Sequence, residues 1–106
     1  MPSISTHVLN SENGTHVAGL TVTLTYIEPD GGRKKIFSNK TDTGGRLVQN
    51  FDFILTSNEI FEIEFKLSDI HNKKKGIYCN DLIFRVSLSS ENETFHIPII
   101  VSQHGA

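Results

Sequence analysis

The sequence has no tryptophan and a single cysteine, Cys79, among its 106 residues. A lone cysteine cannot form an internal disulfide, so the chain is compatible with a reducing compartment. Both scarcities also disfavour an immunoglobulin-type sandwich, because such domains usually contain a buried tryptophan or a cysteine pair. That class is therefore the least favoured interpretation.

Long apolar runs and a strong charge of one sign are also lacking. No apolar stretch is as long as a membrane span, and the first residues lead into a strand pattern without the apolar core of a signal peptide. The formal net charge is −2, and the one basic run, Lys73 to Lys75, is short and lacks accompanying aromatic residues. We therefore expect a soluble, intracellular protein with neither a membrane nor a nucleic-acid partner.

The length is that of one domain, so we expect a single domain over residues 1–106, with a core that is stable without metals or disulfides. The histidines do not show the short paired spacing of zinc ligands, and Cys79 has no thiol partner. We therefore predict neither a metal nor a cofactor.

Alternation of apolar and polar residues predicts a chain built mostly of strands. The alternation has a period of two, which is typical of strands with one buried face, in residues 20–26, 61–67 and 82–88. Turn-forming residues separate these segments, at 13–14, 29–32, 44–45 and 89–93. Many short strands at this spacing predict an all-β sandwich.

Only residues 68–76 have the features of a helix. Ser68 can cap the free amides of a first turn, Asp69 follows it, and Gly76 comes directly after three lysines. We therefore predict one short helix in this segment.

Three polar residues that are distant in sequence, His7, Arg46 and His96, form the candidate site. Two imidazoles can exchange protons near neutral pH, and a permanent cation can hold a carbonyl oxygen or an anion. Such a set is suited to hydrolysis without a nucleophilic side chain. Taken singly, the three residues also fit ordinary strand histidines and a solvated turn arginine. The other histidines, His16, His71 and His104, lie in no motif, and we expect them at the surface.

The period of the strands predicts which side chains share a surface. His7 falls on the face of the first strand that excludes Thr6 and Val8, and His96 falls on the less apolar face of the last strand. Pro98 removes a backbone donor from that last strand and so predicts an edge position or an irregular pairing. A face of this kind is suited to an interface or a cleft.

Each of the three residues lies in its own motif. The motifs are Ser5-Thr6-His7-Val8-Leu9-Asn10 followed by Gly14 and Ala18-Gly19-Leu20, the turn Thr41-Asp42-Thr43-Gly44-Gly45-Arg46, and the strand Phe95-His96-Ile97-Pro98-Ile99-Ile100-Val101-Ser102. Together they resemble the transthyretin family, and within it the 5-hydroxyisourate hydrolases, in order and spacing over nearly the whole chain. The resemblance implies a transthyretin-like (prealbumin-like) sandwich of two antiparallel sheets with one short helix.

The resemblance also implies an activity. The substrate would be the purine-derived 5-hydroxyisourate, whose ring water opens at an amide bond to give 2-oxo-4-hydroxy-4-carboxy-5-ureidoimidazoline in urate degradation. It assigns His7, Arg46 and His96 to catalysis, with His7 and Arg46 also binding substrate. We expect His7 to activate water, His96 to support it or to position the substrate, and Arg46 to stabilise charge on the attacked carbonyl. Transthyretin itself has other residue types at these positions, so the three residues favour the enzyme over the carrier.

Assembly and location follow from the same resemblance. It implies a homotetramer whose sites line a channel between two dimers, and a cytoplasmic protein with the peroxisome as the alternative location. The hydrolases end in a Tyr-Arg-Gly-Ser tail that folds into the active site, whereas residues 102–106 read Ser-Gln-His-Gly-Ala. Either the sequence is a truncated or naturally shortened form, or the activity is reduced. A second hypothesis therefore stays open: a non-catalytic tetramer that binds a small aromatic ligand or a protein partner in its channel.

Overall fold

The computed structural model describes residues 1–11, 14–56, 58–69, 81–90 and 93–101. Within these residues the strands are β1 (Ser3–Asn10), β2 (Thr21–Ile27), β3 (Arg33–Lys40), β4 (Arg46–Asn50), β5 (Glu59–Phe65), β6 (Leu82–Leu88) and β7 (Thr94–Val101). They form a three-stranded sheet in the order β4-β1-β7 and a four-stranded sheet in the order β3-β2-β5-β6. The predicted all-β sandwich is confirmed.

A short helix was predicted at residues 68–76, and only its first two residues lie among the described residues. The structure shows one 3₁₀ turn, Leu67–Asp69. The rest of the predicted segment, residues 70–76, lies outside the described residues.

One strand pairing differs from the wholly antiparallel sheets that were predicted. β1 pairs with β4 antiparallel and with β7 parallel, and the other sheet is antiparallel throughout. Parallel neighbours cannot be joined by a tight turn, and here the connection between them is most of the chain. Pro98 lies on β7, an edge strand of its sheet, as the missing backbone donor predicted.

The core lies between the inward faces of the two sheets. On β1 the alternate residues Ile4, Thr6 and Val8 are buried, and across the core Phe61, Ile63 and Phe65 of β5 are fully buried. Burial of such side chains contributes about 1.5–3 kcal/mol each relative to exposure, which fixes the register because a one-residue slip would turn them outward. Ser5 and His7, which alternate with these residues on β1, are therefore held on the outer face.

Strands β3 and β4 were not predicted, and β3 shows why. Leu24 pairs with Phe37 and Thr25 pairs with Lys35, so Ile36 is the additional residue of a bulge. Ile36 and Phe37 are consequently both packed against the core, and the period-two pattern is interrupted.

No helix in the described part of the chain has the length and apolar character needed to cross a membrane.

Candidate functional site

The outer face of the three-stranded sheet carries all three predicted site residues. β1 is the middle strand, and its His7 is the direct antiparallel partner of Arg46 on β4. On the other side of β1, Ser5 is the partner of His96 on β7. Paired residues project from the same face of a sheet, so His7, Arg46 and His96 share one surface. We call this surface the histidine face, and its outward residues are Ser5, His7, Leu9, Arg46, Val48, His96, Pro98 and Ile100.

The turn before β4 fixes the start of that strand and therefore Arg46. One carboxylate oxygen of Asp42 accepts hydrogen bonds from the backbone amides of Gly44 and Arg46, each at 2.9 Å. These two amides, with Arg46 giving the larger contribution, lower the pKa of Asp42 below its ordinary value of 3.8. Asp42 is therefore ionised near neutral pH, and its carboxylate stabilises the turn by accepting both hydrogen bonds.

Gly45 brings this turn into close contact with β1. Its φ is +71°, and its carbonyl accepts a hydrogen bond from the amide of Val8 at 2.8 Å. A Cβ at this position would lie 2.6 Å from the carbonyl oxygen of Val8 and 2.9 Å from the amide nitrogen of Val17. Only glycine combines this conformation with this approach, so Gly45 of the motif has a structural cause.

His96 is oriented by its neighbour on β1. A hydrogen bond of 2.7 Å joins Ser5 Oγ and His96 Nδ1. Because Ser5 fixes one ring nitrogen of this exposed histidine, Nε2 is left to project from the sheet. Ser5 is a site residue that the sequence placed on the correct face without giving it a role.

A third histidine joins the site, and the sequence did not predict it. His16 is exposed, as expected, but its Nδ1 lies 2.9 Å from His7 Nε2. The backbone of His16 forms an isolated antiparallel bridge with Leu9, which places its side chain on the histidine face. His16 stands outside every strand pattern, so no sequence signal could have paired it with His7.

The electrostatics of the face favour a neutral His7. Partial burial lowers its pKa below the ordinary value of 6.5, and positive charge at Arg46, at His16 and, more weakly, at His96 lowers it further. A backbone hydrogen bond with Gly44 opposes these effects. The net direction is downward, so His7 is an unprotonated base at neutral pH.

Arg46 is exposed and forms no salt bridge with any described residue. Its charge is therefore available to a ligand, with a planar fork that suits carbonyl or carboxylate oxygens. The described residues contain no group of three or more His, Cys, Asp or Glu that could hold a metal ion. The arrangement can accept a proton at an imidazole while a fixed cation binds developing negative charge beside it.

Comparisons with known proteins identify the family and the fold of the chain. The sequence matches the model of the HIUase/Transthyretin family over residues 4–106. A 5-hydroxyisourate hydrolase of Halalkalibacterium halodurans is 26% identical over 111 residues, covering 96% of this chain and 91% of the relative. A transthyretin from Sparus aurata superimposes with a TM-score of 0.78 at 15% identity, covering 94% of this chain and 88% of that chain. A 5-hydroxyisourate hydrolase of Klebsiella pneumoniae superimposes with a TM-score of 0.72 at 18% identity, covering 99% and 93%. At these identities the two structures show the transthyretin-like fold alone.

Proposed function

The chain belongs to the HIUase/Transthyretin family, and from that premise we propose that it is a 5-hydroxyisourate hydrolase. The observation that carries the proposal is the meeting of His7, Arg46 and His96 on one outer sheet face, although they come from three separate strands. A carrier of the same fold needs no base beside an exposed cation, whereas hydrolysis uses both.

The chemistry begins with water and the neutral imidazole. A water molecule adds to the ring carbonyl carbon of 5-hydroxyisourate, and the proton that it loses passes to His7. The carbon–nitrogen bond of the cyclic amide then breaks, the nitrogen takes up a proton, and a carboxylate remains. General-base assistance of this type is typically worth ~10²–10⁴ in rate.

The other two residues act on the substrate. Arg46 binds the substrate's oxygens and stabilises the negative charge that develops on the attacked carbonyl. His96, held at Nδ1 by Ser5, positions the substrate through its outward nitrogen. Arg46 lies directly across from His7, so base and cation reach the same bound molecule.

Assembly completes the site in this proposal. Arg46 and His96 are exposed, and beside them Val48 and Ile100 are 70% and 58% exposed. Apolar side chains of this size on an open sheet face favour contact with a second copy of the chain. A homotetramer with this face at its interface would restrict the access of bulk water to the site and bring symmetric copies of it together.

The direct test is the loss of freshly generated 5-hydroxyisourate, followed by absorbance with and without the protein. We expect acceleration over spontaneous decay in proportion to enzyme concentration. Light scattering on the same sample should give about four times the 11.8 kDa chain mass. Decay at the spontaneous rate would refute the hydrolase, and a monomer would refute the shared site.

The exposed apolar residues of the histidine face, Val48 and Ile100, also favour a second function. A tetramer could hold a small aromatic ligand or a protein partner against this face without turnover. Binding of a substrate-like aromatic ligand, measured by calorimetry on a protein that leaves 5-hydroxyisourate decay unchanged, would establish that function in place of the first.

A further inference from the structure

The contact between His7 and His16 is a hydrogen bond between ring edges. The facing nitrogens are 2.9 Å apart, the ring centroids are 5.0 Å apart, and the ring planes are inclined by 24°. Since the two nearest atoms are much closer together than the centroids, the rings meet edge to edge and do not stack face to face. Such geometry needs a hydrogen on one of the two nitrogens and a lone pair on the other.

The loop that carries His16 is anchored close to β1. The amide of Asn10 donates to the carbonyl of Thr15 at 2.8 Å, and the amide of Val17 donates to the carbonyl of Val8 at 3.0 Å. These bonds flank His16 on both sides, so its backbone position is fixed independently of its side chain. The approach of the two rings is therefore a consequence of the fold.

A buried threonine joins the same loop to the turn that carries Arg46. Thr41 is 5% exposed, and its hydroxyl donates to the carbonyl of Val17 at 2.7 Å and accepts from the amide of Leu20 at 3.0 Å. Buried hydrogen bonds of this kind resist local opening. The loop of His16 and the turn of Arg46 thus form one anchored unit beside His7.

We propose that His16 is a positioning residue for His7: it fixes the orientation and tautomer of the His7 ring through one shared proton. Its contribution to catalysis rests on the proposed hydrolase function, whereas the shared proton does not. His16 itself is not assigned any contact with substrate.

The proton count of the pair follows from the contact. With one hydrogen between the nitrogens, the neutral pair can take up one more proton and spread the charge over both rings. A second added proton would place two cations in contact, near a third at Arg46, and is opposed. The groups that face His7 are Arg46 on β4, His96 on β7, His16 on the loop and Asp42 in the turn. Positive charge on His16 is one of the causes that lower the pKa of His7.

The test compares two substitutions of His16 with the wild type. His16→Ala removes the hydrogen bond, while His16→Asn retains a polar group near the position of Nδ1 and cannot titrate. Ser38→Ala is the matched control, because it deletes an exposed 3.0 Å side-chain hydrogen bond with Thr23 on the opposite sheet. Nitrogen-15 spectra of the imidazole rings report tautomer and titration, with the His7 signals identified by their absence in His7→Asn.

We expect wild-type His7 to show one dominant tautomer. In His16→Ala its signals should move to the tautomer mixture of a free imidazole, and its titration should move to higher pH, because charge at His16 lowers the pKa of His7. His16→Asn should keep the dominant tautomer while its titration moves to higher pH in the same way. Ser38→Ala should match the wild type. Loss of one neutral hydrogen bond should lower kcat/KM about 3- to 10-fold in His16→Ala, with partial rescue in His16→Asn.

Two results would overturn the inference. The first is an unchanged His7 tautomer or titration in His16→Ala. The second is a tautomer mixture of His7 in His16→Asn equal to that in His16→Ala. That result would show that the hydrogen bond does not position the His7 ring. Because these spectra need no substrate, a protein without hydrolase activity would refute the proposed function while leaving the histidine pair intact.

Discussion

The outer faces of the two sheets differ in whether their charged side chains form salt bridges. On the four-stranded sheet, the carboxylate of Glu62 lies between two arginines and binds both, Arg33 at one oxygen and Arg85 at the other, the latter at 2.8 Å. The Glu62 side chain is only 12% exposed, and the two arginines lower its pKa to about 2. On the histidine face, Arg46 has no such carboxylate among the described residues, and His7 is held neutral beside it.

The ion pairs of Glu62 stabilise the fold, whereas His7 and Arg46 form a candidate site for chemistry. Glu62 stays ionised across the physiological range because its counter-charges are built into neighbouring strands. His7 has a pKa lowered from a value already near neutrality, and the Arg46 beside it forms no salt bridge with a described residue, so a bound ligand can change the protonation of His7. A perturbed titratable group on a face with unsatisfied charge is a candidate site, whereas a satisfied network of ions stabilises the fold.

Replacing the histidines should give the largest effect. His7→Asn should slow hydrolysis of 5-hydroxyisourate about 10²- to 10⁴-fold, because it removes the general base while keeping a polar side chain. His96→Asn should also slow it, because it removes the ring that positions the substrate. Light scattering should show the assembly unchanged. Ser38→Ala on the opposite sheet should retain full activity, and an equal loss in that control would remove the contrast between the two faces.

The turn that supports the histidine face should be the next most sensitive point. Gly45→Ala forces an L-residue into φ +71° and places a Cβ 2.6 Å from the Val8 carbonyl oxygen, so it should lower both thermal stability and activity. Gly31→Ala is the matched control, since Gly31 has φ +92° and nothing within 4 Å of a Cβ. Its loss should be limited to the conformational strain, about 1–2 kcal/mol. Equal melting temperatures for the two variants would contradict the close approach.

Substitutions of Arg46 should have a smaller effect, and two of them distinguish the role of its charge from that of its planar guanidinium group. Arg46→Gln removes a cation that lowers the pKa of His7, so the acid limb of the kcat/KM profile should move to higher pH, toward the ordinary value of 6.5. Arg46→Lys keeps the charge and should leave that limb in place, while the loss of the planar fork lowers kcat/KM at all pH values. A limb that moves equally in both variants would show that charge is not the cause.

Breaking the ion pairs of Glu62 with Arg33 and Arg85 should give the smallest effect, and this effect should be on stability alone. Because folding lowers the pKa of Glu62 from 4.5 to about 2, its contribution is complete above pH 4.5 and is lost as the pH falls toward 2. Glu62→Gln should remove about 0.2–1 kcal/mol for each ion pair near neutral pH, with activity unchanged. Glu64→Gln, which breaks no salt bridge with a described residue, should match the wild type in both. The stability difference between Glu62→Gln and wild type should shrink as the pH falls below 4.5. A difference that grows would contradict the lowered pKa of Glu62.

Strand parity made part of this site predictable. It placed His7 and His96 on outward faces, because the buried alternation of each strand is visible in its own residues. Parity does not say which strands are neighbours, so the direct pairing of His7 with Arg46 came only from the fold. From the sequence, Arg46 entered the candidate site only through the resemblance of its motif to a family.

Other features depend on contacts that no local pattern records. His16 reaches His7 through a loop outside the strands, and Glu62 gathers Arg33 and Arg85 from 29 and 23 residues away. The parallel pairing of β1 with β7 likewise depends on the course of the intervening chain. Each of these is a long-range juxtaposition, which the sequence alone leaves undetermined.

The pH–rate profile of the wild-type protein on fresh 5-hydroxyisourate tests the central claim most directly. We predict acceleration over spontaneous decay at pH 7–8 that persists below pH 6.5 and falls only as the pH passes through the lowered pKa of His7. Decay at the spontaneous rate at every pH, or an acceleration that is already lost well above pH 6.5, would contradict the account.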